Sequence, residues 1–168
     1  MLYNTQPVFK QAIDQGCTQF AQAEGSNLFD IIYQDDPSKL NQTGMTQPAL
    51  YIYASALAAL WRHWGIEPKW VMGHSVGEYA AAQAANYVDY QTGLALISAR
   101  GRLMQALPAG GTMAALMASA ERVATLIEPY NNIEIAALNG PLQTVISGDK
   151  LAVQQLLKQA KAEKTRGR

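Results

Sequence analysis

Cysteine, histidine and net charge are all scarce in this chain, and each scarcity removes a class of function. The single cysteine among 168 residues, Cys17, excludes an intrachain disulfide framework and fits a reducing, cytoplasmic compartment. With no basic neighbour in view, it reads as a small buried residue rather than a reactive thiol. Charged residues make up only 15 %, and 13 Lys plus Arg balance 13 Asp plus Glu. Nothing in that balance steers the protein to nucleic acid or to an anionic membrane. So neutral a chain has little colloidal protection, and apolar surface that another segment normally covers is expected.

Long apolar runs are missing too. Pro48 to Trp61 is too short to span a bilayer, and the N-terminus shows no basic region followed by an apolar run. His, Cys and Asp do not cluster at ligand spacing, so no metal site is expected. Gly110-Gly111 does not follow a strand in a nucleotide-binding pattern, so no bound cofactor is expected either. The histidines are two, His63 and His74.

What is present is a Gly-x-Ser-x-Gly pentapeptide. Trp70-Val71-Met72 leads into Gly73-His74-Ser75-Val76-Gly77, and the alanine-rich stretch 80–85 leaves it. The order is strand, sharp turn, helix. A serine on such a turn presents its hydroxyl, flanking glycines let the backbone fold tightly beneath it, and the helix aims backbone donors at an incoming oxygen. Ser75 is the candidate nucleophile for acyl transfer. The competing reading is a glycine-rich turn with an incidental serine.

Around this stretch the pattern is mostly helical. Pro7 to Phe20 is expected as a helix, with Val8, Ala12 and Cys17 or Phe20 on one face. Leu28 to Tyr33 reads as a short helix or turn that Asp35-Asp36-Pro37 breaks, and Lys39 to Gly44 as a linker. Thr46 is a plausible N-cap for a helix from Pro48 to about Trp64, apolar on most sides. Lys69 to Met72 fits a buried parallel strand. A helix from Val76 to about Ala85 follows, then Asp89 caps another from Tyr90 to Leu107. Pro108-Ala109-Gly110-Gly111 is the clearest boundary. Beyond it the order is β-α-β-β-α: strand 113–117, helix 119–127 with Ser119 as N-cap, strands 133–138 and 143–147, helix 150–162. One more strand would complete a split βαβ unit, and the first part lacks partners for its one strand. Both point to truncation, with a strand expected upstream of Met1.

A serine nucleophile needs a base. His74 adjoins Ser75, and adjacent side chains diverge across an elbow, so packing or a hydrogen bond beneath the elbow suits it better. His63 reads as structural or solvent-facing. No histidine follows Ser75, which breaks the chain order of an α/β-hydrolase triad. Val76 N–H is one candidate oxyanion donor. Gln47 is equally a cleft residue or a surface cap. Glu78 suits the start of a helix dipole. Arg100 on its own reads first as a solvent-facing helix arginine; turned to a cleft, it could clamp a carboxylate. Arg102, two residues on, cannot share its face.

Several segments in order, Thr46-Gln47-Pro48-Ala49-Leu50, Gly73 to Tyr79, Ala99-Arg100-Gly101-Arg102-Leu103-Met104, Gly111-Thr112-Met113-Ala114-Ala115, Asn139-Gly140-Pro141 and Val145-Ile146-Ser147-Gly148, resemble the malonyl-CoA:acyl carrier protein transacylase family, to which the acyltransferase domains of polyketide and fatty-acid synthases belong. The resemblance implies an α/β fold: an incomplete hydrolase-like acyltransferase core over residues 1–109 and a ferredoxin-like small subdomain, lacking its last strand, over 110–168. It implies that Ser75 carries the acyl group as an ester and that Arg100 binds the free carboxylate of a malonyl-type extender. Gln47 and His74 would line the pocket, and Val76 N–H would face the oxyanion. Malonyl-CoA or a related acyl-CoA would be the substrate. The phosphopantetheine thiol of an acyl carrier protein would be the acceptor, with neighbouring synthase domains as partners.

The family's N-terminal strand with its Gly-Gln-Gly loop is absent, as is the later segment with the catalytic histidine, so impaired activity of this chain alone is expected. The final small-subdomain strand would start near Arg166. Two alternatives stand beside this reading, a serine hydrolase or thioesterase and a non-catalytic fragment that only docks with synthase domains.

Overall fold

In the computed structural model, which describes residues 1–33, 37–162 and 167, the chain divides after Leu107 into two units, Met1–Leu107 and Pro108–Arg168. The first is helical among its described residues: α1 Leu2–Thr5, α2 Pro7–Glu24, α3 Leu28–Tyr33, α4 Pro37–Leu40, α5 Thr43–His63, α6 Gly77–Ala84 and α7 Tyr90–Gln105. The second comprises β1 Gly111–Leu116, α8 Ala120–Ile127, β2 Ile133–Gly140, β3 Gln143–Asp149 and α9 Lys150–Ala162.

Pro7 occupies the start of α2, where its missing N–H costs no hydrogen bond, and Gly25 at φ 70° stops it. The buried stripe of α2 is Phe9, Ile13, Cys17 and Phe20. Spacings of four, four and three keep these on one face. Val8 and Ala12, expected there, are only half-buried, because the larger Phe9 and Ile13 take the core-facing row. The stripe packs with Ala49, Tyr51, Ile52, Ala56 and Leu60 of α5 and with Leu94 and Ile97 of α7. Each large side chain so buried contributes roughly 1.5–3 kcal/mol of hydrophobic stabilisation.

Helix α5 begins at Thr43, a turn before Thr46, so the stretch read as a linker is partly helical and Pro48 lies inside the helix. The Thr46 hydroxyl does not cap: it donates to the carbonyls of Leu40 and of Gln42, the latter at 3.0 Å. Apolar residues surround α5 as expected, yet only one side is buried, and Leu50, Tyr53 and Trp61 are exposed. Finally, Lys69 to Met72 is no strand, and Trp70 and Met72 are 93 % and 96 % exposed. A strand exists only as a hydrogen-bonded ladder, and this segment has no described neighbour to pair with. The breaker Asp35-Asp36 lies outside the described residues.

Asp89 caps α7 as expected, accepting from Thr92 N–H at 2.8 Å and from the Thr92 hydroxyl at 2.7 Å. Asn86, at φ 57°, follows α6, where asparagine is tolerated better than bulkier residues.

In the second unit the sheet order is β1-β3-β2, both pairings antiparallel. Ala114, Leu116 and Ile146 point to one face and bury against Val123 and Leu126 of α8 and Val153, Leu156 and Ala160 of α9. Ser119 caps α8 through the Arg122 N–H at 3.4 Å, and the Asp149 carboxylate accepts from Leu151 and Ala152 N–H, both at 3.0 Å, at the start of α9. Gly167 forms an antiparallel bridge to Leu116, so the chain returns beside β1. Arg166, where the sequence reading begins that strand, lies outside the described residues. This is the small, open antiparallel sheet with helices that the α/β reading required.

Candidate active site

The turn before α6 is built around one small residue. A Cβ on Gly73 would collide with the carbonyl carbon of Gly77 and the backbone nitrogen of Glu78. Gly77 meets nothing within 4 Å, so among the described residues the tightness rests on the first glycine, not on both. The turn closes through Gly77 N–H to His74 O at 3.0 Å and Glu78 N–H to Ser75 O at 3.2 Å.

Ser75 sits at its apex with φ 54°, a left-handed conformation for a non-glycine residue. Such a backbone costs about 1–2 kcal/mol and persists where the surroundings over-determine it. The side chain is exposed. Val76 N–H, next in the chain, donates to nothing among the described residues and remains available at the start of α6. Glu78 lies in the first turn of that helix, on the side the macrodipole favours for an acid.

Arg100 reaches the serine from α7. Its Nη2 donates to Ser75 Oγ at 3.2 Å, and its Nη1 donates to Gln47 Oε1. A guanidinium only donates, so the serine oxygen accepts here and its own proton points elsewhere. Gln47 is buried, at 4 % exposure, on α5. Its Nε2 donates to Thr43 Oγ1 at 2.8 Å and lies 3.3 Å from Met104 Sδ. The two helices approach closely at Gly101, where a Cβ would lie 3.0 Å from Thr43 O and 3.2 Å from Gly44 Cα. Three sequence candidates, Gln47, Ser75 and Arg100, therefore converge in the first unit.

Two others behave differently. The His74 side chain is exposed and forms no hydrogen bond among the described residues, so its imidazole neither touches Ser75 Oγ nor buttresses the elbow; only its backbone carbonyl takes part in the turn. Arg102 diverges as its spacing required, and pairs with Glu24 at the end of α2 through contacts of 2.8 and 2.9 Å.

Sequence reasoning missed Thr43, Met104 and Gln105. Thr43 precedes Gln47 by four residues on one helical face, a spacing invisible while that stretch counted as a linker. Met104 stands four after Arg100 by the same rule. Gln105 accepts from Gly44 N–H at 2.7 Å and donates to Gln42 Oε1 at 3.3 Å, so α7 itself caps α5.

A single cation held beside an exposed serine, with a free backbone N–H next to it, suits an acyl substrate that bears its own carboxylate. The family described as Acyl transferase domain matches residues 1–168. Mycoketide-CoA synthase of Mycobacterium tuberculosis is 40 % identical over 157 residues, covering 94 % of this chain and 4 % of that protein. Among solved structures, the acyltransferase domain from the second module of the salinomycin polyketide synthase is 36 % identical with a TM-score of 0.91, over 99 % of this chain and 39 % of that one. The acyltransferase domain of the polyketide synthase PpsC of Mycobacterium tuberculosis is 34 % identical with a TM-score of 0.90, over 99 % and 50 % respectively. The chain thus spans half or less of these two solved structures, and a few per cent of the synthase.

Proposed function

This chain belongs to the acyl transferase domain family, and from that premise we propose that it carries the serine and the carboxylate clamp of an acyltransferase. The reaction moves a malonyl-type acyl group from coenzyme A to Ser75, then to the phosphopantetheine thiol of an acyl carrier protein within a larger synthase. Ser75 Oγ attacks the thioester carbonyl, its proton passes to a base, and the carbonyl oxygen becomes an oxyanion facing Val76 N–H. The C–S bond then breaks, and coenzyme A leaves as a thiol. The second half reverses these steps with the carrier thiol as nucleophile, and Ser75 recovers its proton.

The observation that carries this reading is the Arg100 guanidinium beside Ser75 Oγ at 3.2 Å. A carboxylate on the acyl group would take two parallel hydrogen bonds from the guanidinium fork, in place of the serine and beside the Gln47 contact. A cation at this place has no partner in a hydrolase acting on neutral esters. Gln47 sets the orientation of the arginine, and His74 is assigned to the outer rim of the pocket.

Both histidines of the chain are exposed, and neither bonds to Ser75 Oγ among the described residues. General-base assistance typically contributes 10²–10⁴-fold. The expected behaviour of these 168 residues alone is therefore slow single loading rather than turnover. The test is intact mass after incubation with malonyl-CoA and, separately, acetyl-CoA. A malonyl adduct should appear, weaker with acetyl and lost in Ser75→Ala. Arg100→Ala should lower malonyl loading about ten- to a hundred-fold while sparing acetyl loading, as removal of a charge-assisted hydrogen bond predicts. Malonyl labelling that survives Ser75→Ala would end this reading.

A further inference from the structure

We infer that Thr43 is a positioning residue of this site: it anchors the Gln47 amide, and through that amide sets how Arg100 is presented to the carboxylate of the acyl substrate. The consequence for substrate choice rests on the acyl-transfer reading; the anchoring does not.

The Gln47 amide is buried and has two ends that differ in polarity. Arg100 can only donate, so it requires the Oε1 end. That places the NH2 group on the opposite side, facing Thr43 Oγ1 at 2.8 Å and Met104 Sδ at 3.3 Å. A thioether is a weak acceptor. The threonine hydroxyl is thus the strong acceptor that satisfies the buried donor. Remove it, and the amide is held on that side by sulfur alone and can rotate away from the guanidinium.

Thr43 suits this role because its own position is held by the element that bears the arginine. It opens α5, and the neighbouring Gly44 N–H donates to Gln105 Oε1 of α7 at 2.7 Å. Its carbonyl lies against Gly101, where even a methyl group would press on it at 3.0 Å. The contacts run in one direction: the Gln105 side chain of α7 fixes the first turn of α5, Thr43 fixes Gln47, and Gln47 Oε1 fixes Arg100 Nη1, which leaves Nη2 on Ser75 Oγ. Helix position, not chemistry at the acyl carbon, is what Thr43 supplies.

Thr43→Val keeps the shape and removes the hydroxyl, and Thr43→Ser keeps the hydroxyl. The first readout needs no catalysis. In ¹⁵N-labelled protein the Gln47 side-chain NH2 pair, assigned by its disappearance in Gln47→Leu, should exchange slowly with solvent. Thr43→Val should speed that exchange about tenfold or more, and Thr43→Ser should restore it. The second readout is the ratio of malonyl to acetyl loading, which should fall about tenfold in Thr43→Val and recover in Thr43→Ser. Circular dichroism of both variants checks that the helices persist. Unchanged exchange of the Gln47 amide in Thr43→Val overturns the anchoring. A changed amide with an unchanged loading ratio overturns the link to substrate choice. If the unaltered chain acquires no adduct at Ser75, the acyl-transfer reading fails, while the amide exchange still decides the anchoring.

Discussion

Ser75 at φ 54° and Gly73 beneath it form a pair in which strain at one residue depends on the absence of a side chain at the other. Gly73→Ala is expected to displace the elbow and abolish loading of Ser75, while Gly77→Ala, with open space around it, leaves loading within a fewfold of the parent; intact mass with malonyl-CoA distinguishes them. Cys17 illustrates the opposite case, a group removed from chemistry by its surroundings. Burial beneath α2 pushes its thiol up to about 11 from 9.0, with the Asp14 charge adding to the effect. A raised value means that the folded state favours the protonated form. The contribution to stability is complete below pH 9 and is lost as pH rises through about 11. Cys17 should therefore resist a thiol reagent such as a disulfide chromogen at pH 8 in the native protein and react at once in denaturant. At this scale the sequence was a good guide to the turn at Ser75, whose motif is local. It was a poor guide to Arg100, because whether a helix arginine meets solvent or a serine depends on a partner 25 residues away.

Helices α5 and α7 show how elements decide what residues do. The expected start of α5 followed the rule that proline stands in a first turn, yet packing against α7 and the Gln105 contact extend the helix to Thr43 despite Pro48. That one turn brings Thr43 into register with Gln47. Local signals were more reliable at the other caps, where a side chain bonds backbone only a few residues away. Asp89 is held below the usual carboxylate range, chiefly by the Thr92 backbone N–H and then by the Thr92 hydroxyl. A lowered value contributes stability that is complete above the ordinary value, 3.8, and is lost as pH falls below it through the depressed folded-state value. Asp89→Asn should keep the cap, since asparagine caps as well, but remove this pH dependence, as thermal unfolding at pH 7 and pH 3 would record. Ser119→Ala should cost about 1 kcal/mol at neutral pH, read from denaturant unfolding.

Across the whole molecule, two hydrophobic cores each close on residues of their own unit, one between α2, α5 and α7 and the other between the sheet and helices α8 and α9. Ile146, fully buried on the central strand, is the residue to truncate in the second: Ile146→Ala should cost about 2–5 kcal/mol, seen as lost hydrogen-exchange protection of β1, β2 and β3. The first unit instead keeps Trp70 and Met72 almost fully exposed. That fits the short share of the matched domains which the chain spans.

By itself the sequence determined the order of elements beyond Gly110, the caps at Asp89 and Ser119, the turn at Ser75 and the family. All of these are written in patterns a few residues long, where a side chain bonds or packs within its own turn. Tertiary structure alone decided that Lys69 to Met72 forms no ladder, that α5 begins at Thr43, and that Arg100 meets Ser75 with Gln47 behind it. A ladder, a helix end capped from another helix and a cation's orientation all depend on partners distant in the chain, and their energies are set by which surfaces the packing brings together.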